Sequence, residues 1–257
     1  MKLTFSKYQG TGNDFVMIDN RTKTFPKGNP DIISRLCDRN FGIGADGVIL
    51  IENADEEDFR MEYFNPDATE TFCGNGGRCA VAFAKRLGMI ENETKFLAFD
   101  GLHFAQLNND IISLQMIDVD TVDLHDSYSY LYTGTPHHVQ MTTDLGNFPV
   151  FEEGRKLRYE LYGEKGSNIN FVEQKSDNTF RVRTYEKGVE NETLACGTGV
   201  TAVAIAMHAS QKTKATTIHL PVEGGKLSVS FQYEQGTYSN VFLSGPAEFV
   251  FGGNIAL

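Results

Sequence analysis

Two cysteines, Cys73 and Cys196, each open a glycine-rich run, Cys73-Gly74-Asn75-Gly76 and Cys196-Gly197-Thr198-Gly199, and each run leads into an apolar pattern of helical period. A thiol at a helix N-terminus feels the positive end of the macrodipole and the unpaired backbone N–H groups. Both favour the thiolate, which makes a usable base near neutral pH. The glycines let a ligand carboxylate approach the same N–H groups closely. A lone cysteine is more often a small buried apolar group; two in matching Cys-Gly-X-Gly settings favour chemistry. Two acid/base thiols facing one carbon suit removal of a proton from one face of an α-carbon and delivery of another to the opposite face, with inversion. Helix N-termini directed at the α-carboxylate would hold the charge that develops there. The reaction needs one thiolate and one thiol, and their titrations are coupled.

Other chemistry fits these residues less well. Zinc needs closely paired ligands, and Cys73-x5-Cys79 has no matching Cys or His pair, so no metal site is expected. Cys79, off the direction of Cys73 on the helix, and Cys37 are assigned to the core. A Cys73–Cys196 disulfide would block the proposed chemistry and reads as an oxidation liability. Gly42-Ile43-Gly44-Ala45-Asp46-Gly47 matches the G-x-G-x-x-G spacing, but a helix precedes it and a strand follows, the reverse of a dinucleotide site. These glycines are read as ending that helix and turning the chain into the next strand, with the loop, through Gly47, bordering the site.

Sheet must dominate the frame that positions the thiols. Alternating segments recur at Leu3–Tyr8, Phe15–Ile18, Val48–Ile51, Phe59–Phe64, Phe96–Phe99, Ile111–Met116, Phe180–Tyr185, Thr217–Leu220, Leu227–Phe231 and Val241–Leu243. Helices are few. One follows each cysteine, with Ala80, Phe83, Ala84 and Leu87 or Val200, Val203, Ala204 and Met207 spaced for a buried stripe. A third runs from Asp31 to about Arg39, with Pro30 suiting its first turn. Each cysteine region is preceded by a strand and a polar loop holding Glu70 or Glu192, an internal repeat at an offset of roughly 120 residues, the scale of a duplicated domain. The expected hinge lies near Met116–Asp126, where alternation fades into a charged stretch.

The chain has 257 residues, 40% of them hydrophobic, long enough for one large or two ordinary domains with full cores. A formal net charge of −11, without clustered Lys or Arg, argues against a nucleic-acid partner. No segment has the length or continuous hydrophobicity of a membrane span, and the N-terminus alternates instead of carrying a signal-peptide core. Four irregularly spaced cysteines fit the reducing cytoplasm.

With these residues in place, the chain resembles the diaminopimelate epimerases over nearly its whole length. The resemblance rests on Gly10-Thr11-Gly12-Asn13-Asp14-Phe15, on the run Asp38 to Gly47, and on Asn65-Pro66-Asp67-Ala68-Thr69-Glu70 leading to Cys73-Gly74-Asn75-Gly76-Gly77-Arg78-Cys79. In the second half it rests on Gly134-Thr135-Pro136-His137, Asn168-Ile169-Asn170-Phe171, Tyr185-Glu186-Lys187-Gly188 and Glu192 to Gly199. It implies an α+β fold of two pseudo-symmetric α/β domains, each a curved, mostly antiparallel sheet around a central helix. Residues 1–117 would carry Cys73 and 118–245 Cys196, with 246–257 packing back on the first half.

The implied activity is cofactor-independent epimerisation of an amino-acid diacid by a homodimer. Carried over, Cys73 and Cys196 are the acid/base pair, and Asn13, Asn65 and Asn168 are amides that hold the charged ends of the substrate. Gly74, Asn75, Gly197 and Thr198 are helix-end anion sites, while His137 and Glu186 set thiol protonation and fix the substrate amine. A neutral amide both donates and accepts, so it can grip ammonium or carboxylate without adding charge.

Three positions depart from the usual family pattern: Ala68-Thr69 replaces Gly-Ser, Thr135 replaces Asn, and Lys187 replaces Arg. The last bears on the distal carboxylate, since Arg grips it with two parallel hydrogen bonds and Lys offers a point charge. Alternatives are another two-cysteine racemase or epimerase of proline or hydroxyproline type, distinguished by a substrate screen, and an amino-acid-binding protein without turnover, which would show affinity without solvent exchange.

Overall fold

A computed structural model describes residues 2–256. It divides into two compact units, one running to Leu114 and resuming at Gly245, the other spanning Gln115–Ser244.

In the first unit, β1 (Lys2–Gly10) and β2 (Asn13–Asp19) form a hairpin through Thr11 and Gly12, both at positive φ. Helix α1 (Pro30–Cys37) then carries the chain over to β3 (Gly47–Glu52), which lies parallel to β2 with Phe15 opposite Gly47. The Asn29 side chain accepts the Asp31 N–H to start α1, and Pro30 occupies its first turn, where a missing N–H costs nothing. The helix ends at Cys37, two residues before the sequence expectation. The glycine loop that follows satisfies its last carbonyls: Leu36 O accepts from Ile43 and Gly44, and Cys37 O from Ala45.

Strand β3 pairs antiparallel with β4 (Phe59–Phe64), which turns into the short β5 (Glu70–Thr71). Helix α2 (Gly74–Arg86) brings the chain back so that β6 (Glu93–Ala98) lies parallel to β4. Antiparallel β7 (Gly101–Asn108) and β8 (Ile111–Gln115) follow. The closing strand β18 (Glu248–Ala256) pairs antiparallel with β1.

The second unit opens with β9 (Val122–Leu124), paired with β10 (Ser129–Tyr132), and then repeats the first unit's order. Strand β10 pairs antiparallel with β11 (Pro136–Met141), and α3 (Val150–Tyr162) crosses over to β12 (Asn168–Ser176), parallel to β11. Strand β13 (Thr179–Glu186) turns into β14 (Asn191–Thr193), α4 (Gly197–Ala209) follows, and β15 (Thr217–Val222) lies parallel to β13. Antiparallel β16 (Gly225–Glu234) and β17 (Thr237–Pro246) complete it. Every pairing from β10 to β17 has the sign of its counterpart between β1 and β8, so the repeat is topological and extends well beyond the cysteine runs.

Two further features differ from the sequence expectation. Glu70 and Glu192 stand in short strands and not in loops; two or three residues are too few to show a period. Helix α3 was not anticipated, because its buried stripe is Val150, Gly154 and Arg158, a spacing of four with a glycine and a cation at apolar positions. Gly154 is required there: a Cβ would sit 2.4 Å from Tyr185 Cβ. Helix α4, by contrast, is buried from Gly199 to Met207. Each large apolar side chain so buried contributes about 1.5–3 kcal/mol. No helix among the described residues is long and apolar enough to cross a membrane.

Candidate active site

Cys73 and Cys196 take the same backbone role. Each is the N-cap of its helix in extended conformation (φ −133°, ψ 122° and φ −120°, ψ 111°), with no side-chain cap bond and no acidic residue in the first turn. Gly74 and Gly197 are the first helical residues, so both helix starts present N–H groups that their own cap side chain does not occupy. Cys73 is half-buried and Cys196 buried. Cys37 and Cys79 lie in the core, and burial pushes their thiols up to about 11 and about 12, which leaves them inert as bases at neutral pH.

Around Cys73 the structure gathers Asn13 and Asn75. Cys73 Sγ donates to Asn13 Oδ1 at 3.4 Å, and Asn75 Nδ2 donates to the same oxygen at 3.3 Å. Asn13 Nδ2 in turn donates to Asp46 Oδ2 at 2.5 Å, and Arg39 Nη2 donates to Asp46 Oδ1 at 2.8 Å. Arg39 and Lys7 also flank Asp14. Burial raises its carboxyl, but hydrogen bonds from Arg39 and Lys7 outweigh that and hold it at about 2. Beneath Asn75 lies Arg78, fully buried, donating through Nη2 to Asn75 Oδ1 and Thr11 Oγ1, both at 3.1 Å. Burial pulls its guanidinium below the usual arginine range, opposed by Cys79 and Cys73. Its Nη1 has no partner among the described residues.

Around Cys196 stand Thr198, with Oγ1 3.5 Å from Sγ, and Glu186 at the end of β13, whose carboxylate accepts hydrogen bonds from Thr193 Oγ1 at 2.8 Å and from Cys196. Burial raises the Glu186 carboxyl and those two hydrogen bonds oppose the rise. Gly199 is needed beside the thiol, since a Cβ there would meet Asn170 Oδ1 at 2.6 Å and Cys196 Sγ at 3.2 Å. Thr135 lies in the turn before β11, its carbonyl accepting the Thr133 N–H, and Thr133 Oγ1 donates to Thr198 O at 2.9 Å.

His137, Asn168 and Lys187 form one further group in this unit. Asn168 Oδ1 accepts the Lys187 backbone N–H at 2.7 Å, and its Nδ2 lies 3.5 Å from His137 Nε2. Burial pushes His137 down to about 3, so the ring is neutral. Asn170 Nδ2 is 3.1 Å from His137 Nδ1 and donates to His138 O at 2.8 Å. The His138 carbonyl fixes the Asn170 amide with its NH2 group toward one ring nitrogen, and the Lys187 N–H fixes the Asn168 amide with its NH2 group toward the other. Lys187 Nζ donates to Lys165 O at 3.2 Å.

Asn65 and Gly47 have partners of their own. Asn65 spends its amide inside the β4–β5 hairpin, accepting from Tyr63 and donating to Thr69 and Thr71. Gly47 is demanded by packing, a Cβ there falling 2.3 Å from the Tyr63 ring. Asp46, Arg78, Asn170 and Thr193 are the residues the sequence reading left unassigned. Only Asn170 carried a local signal, being two residues from Asn168 and therefore on the same strand face. Among the described residues no group of His, Cys, Asp and Glu is arranged to hold a metal ion.

The order of elements and the paired cysteine caps define a two-unit fold with matching thiol-bearing helix starts. Solved structures share that fold: a phenazine biosynthesis protein of the PhzF family from Bacillus anthracis has a TM-score of 0.79 at 13% identity, with 100% of both chains covered. A hydroxyproline epimerase from Agrobacterium vitis has a TM-score of 0.70 at 17% identity, covering 100% of this chain and 93% of that one. The diaminopimelate epimerase family model matches residues 5–110 and 129–250, and the chain belongs to that family. It is 61% identical to the diaminopimelate epimerase of Flavobacterium psychrophilum over 95% of this chain and 97% of that protein. With that of Aquifex aeolicus it shares 37% identity over 99% and 98%.

Proposed function

We propose that the protein interconverts LL- and meso-2,6-diaminopimelate, on the route to lysine and cell-wall precursor, without pyridoxal phosphate or metal. The observation that carries this reading is the matched pair of cysteine N-caps in a chain of this family. In the proposed reaction one thiolate takes the α-proton and the other thiol delivers its proton to the opposite face. The centre is inverted, and the thiol and thiolate roles are exchanged at the end of each turnover. Backbone N–H groups at the helix starts bind the α-carboxylate and hold the charge that develops as the proton leaves.

Gly74, Asn75, Gly197 and Thr198 serve that anion, while Asn13 and Asn65 hold the charged ends of the substrate. Asn168, with the neutral His137 ring beside it, and Lys187 serve the distal carboxylate. Glu186 governs the Cys196 proton and receives the substrate ammonium; Thr135 and Gly47 shape the turns behind these groups. The partner is the small diacid alone, and the protein acts in the cytoplasm as a homodimer. A net charge of −11 supports the absence of a nucleic-acid role.

Incubating the reduced protein with LL-diaminopimelate in D2O is expected to place deuterium at the α-carbon and to yield the meso isomer. Binding without deuterium incorporation would overturn the reading in favour of a binding protein. Turnover confined to proline or hydroxyproline would overturn the substrate.

A further inference from the structure

The two amides beside Cys73 are not free to choose which end they present. Arginine only donates hydrogen bonds and an ionised carboxylate only accepts them. Arg78 Nη2 lies 3.1 Å from Asn75, so the Asn75 atom facing it is Oδ1 and its Nδ2 is left for Asn13. Asp46 Oδ2 lies 2.5 Å from Asn13, so the Asn13 atom facing it is Nδ2 and its Oδ1 is left for Asn75 and Cys73. The result is a chain of one polarity, Arg78 to Asn75 to Asn13 to Asp46, closed by Arg39 on the outer Asp46 oxygen. Both ends of the chain are anchored outside the pair of amides it orients, one by a guanidinium buried from solvent and the other by a carboxylate at the surface.

We propose that Asp46 is a positioning residue: it holds the Asn13 amide with its carbonyl oxygen turned to the Cys73 sulfur, and Arg78 orients Asn75 in the same sense. A carbonyl facing the sulfur stabilises the thiol over the thiolate, whereas an NH2 group facing it would do the reverse. Asp46 thereby keeps Cys73 protonated in the unliganded protein, so that Cys73 enters the reaction as the proton donor and becomes a base only after delivering that proton. The inference rests on the reading of Cys73 as one of the acid/base pair, and its test needs no turnover. The titratable and charged groups around this thiol are Arg78 and Cys79 on α2 and, beyond Asn13, Asp46, Asp14 and Arg39.

The test is alkylation by iodoacetamide, with peptide mapping to follow Cys73 and Cys196 separately, in the wild type and in Asp46→Asn. An asparagine at 46 both donates and accepts, so the Asn13 amide loses its enforced orientation. Cys73 is expected to alkylate about threefold faster or more at neutral pH, with its pH profile moved to lower pH and that of Cys196 unchanged.

Removing a negative charge would act in the same direction simply by relieving Coulomb repulsion of the thiolate. The comparison is therefore repeated in about 1 M salt, where the screening length is about 3 Å. A shift that persists supports orientation. An unmoved Cys73 profile, or a shift that vanishes in high salt, overturns the proposal. Asp46 is partly exposed, so the variant is expected to fold, as its thermal unfolding will show. Failure of the D2O experiment would strike the epimerase reading, while failure here strikes only the role of Asp46.

Discussion

Asn65 in the first unit and Glu186 in the second hold the same place in a repeated hairpin. Phe64 pairs with Glu70 as Tyr185 pairs with Glu192, so the next residue along each long strand is Asn65 or Glu186, and Thr71 corresponds to Thr193. The side-chain hydrogen bond between these corresponding positions survives with its direction reversed: Asn65 donates to Thr71, whereas Thr193 donates to Glu186. Five residues after each cysteine the contrast recurs, with a buried Arg78 in one helix and a buried Thr201 in the other. Thr201 turns its hydroxyl onto its own helix at Gly197 O, 2.9 Å away, while Arg78 reaches beyond its helix to Thr11 as well as bonding Asn75 one turn back.

A duplicated backbone has thus kept the cap geometry and let the electrical surroundings of the two thiols diverge. A cation and two oriented amides accompany Cys73; a carboxylate and a threonine accompany Cys196. That asymmetry suits a reaction that needs one thiol and one thiolate at the start, since unlike surroundings decide which member of a coupled pair keeps the shared proton.

The sharpest way to break the comparison is to remove the thiols in turn. Cys73→Ser and Cys196→Ser are each expected to lower kcat for epimerisation by about 10²–10⁴-fold, because a serine hydroxyl neither ionises readily nor returns a proton at the right pH. Steady-state kinetics in both directions of the reaction will show it, and full activity in either variant rules out the two-base mechanism. A smaller effect is expected from Glu186→Gln, a fall in kcat of roughly 10–100-fold together with a raised KM, because the same carboxylate governs the Cys196 proton and receives the substrate ammonium. Asn65→Asp should act mainly on KM. Equal effects on kcat from both variants would mean that the halves are not electrically distinct.

The smallest expected effect concerns acid stability. Burial pushes His137 down to about 3 and His138 down to about 4, both well below the usual 6.5. Above pH 6.5 neither histidine is protonated in the folded or the unfolded chain. Below it the unfolded chain binds protons that the folded one refuses. Each such histidine therefore lowers stability progressively as the pH falls from 6.5 toward its folded value. Asp14 in the first unit has the opposite history: its folded value of about 2 lies below the ordinary 3.8, so its contribution is intact above pH 3.8 and fades only below it. Segment-resolved hydrogen exchange near pH 5 should show β11 and β12 losing protection before β1 and β2. Urea unfolding of His138→Gln should show a shallower loss with acid. Earlier opening of the first unit would contradict both.

Much of the repeat was legible in the residues themselves. The helical periods after Cys73 and Cys196 and the proline in the first turn of α1 are local signals, and the structure places helices there. The strands of alternating apolar residues were equally readable, because a half-buried strand must alternate. Helix α3 was hidden, since its inward stripe holds Gly154 and Arg158, residues chosen by the Tyr185 side chain and the Gly163 carbonyl that they meet. That Asn65 also ties its own hairpin together, through hydrogen bonds to Thr69 and Thr71, only the pairing of β4 with β5 reveals.

By itself the sequence determined that two thiols would cap two helices rich in glycine at their starts, because capping and helical period depend on neighbours within a few residues. Tertiary structure decided which atoms face those thiols. Asn13 and Asp46 are drawn from segments distant in the chain from Cys73, and Glu186 reaches Cys196 only through the turn of β13 into β14. An amide or a histidine ring takes its hydrogen-bond polarity from whether its partner can only donate or only accept. Such partners are assembled by packing, so the direction of each bond at this site became fixed only once the chain had folded.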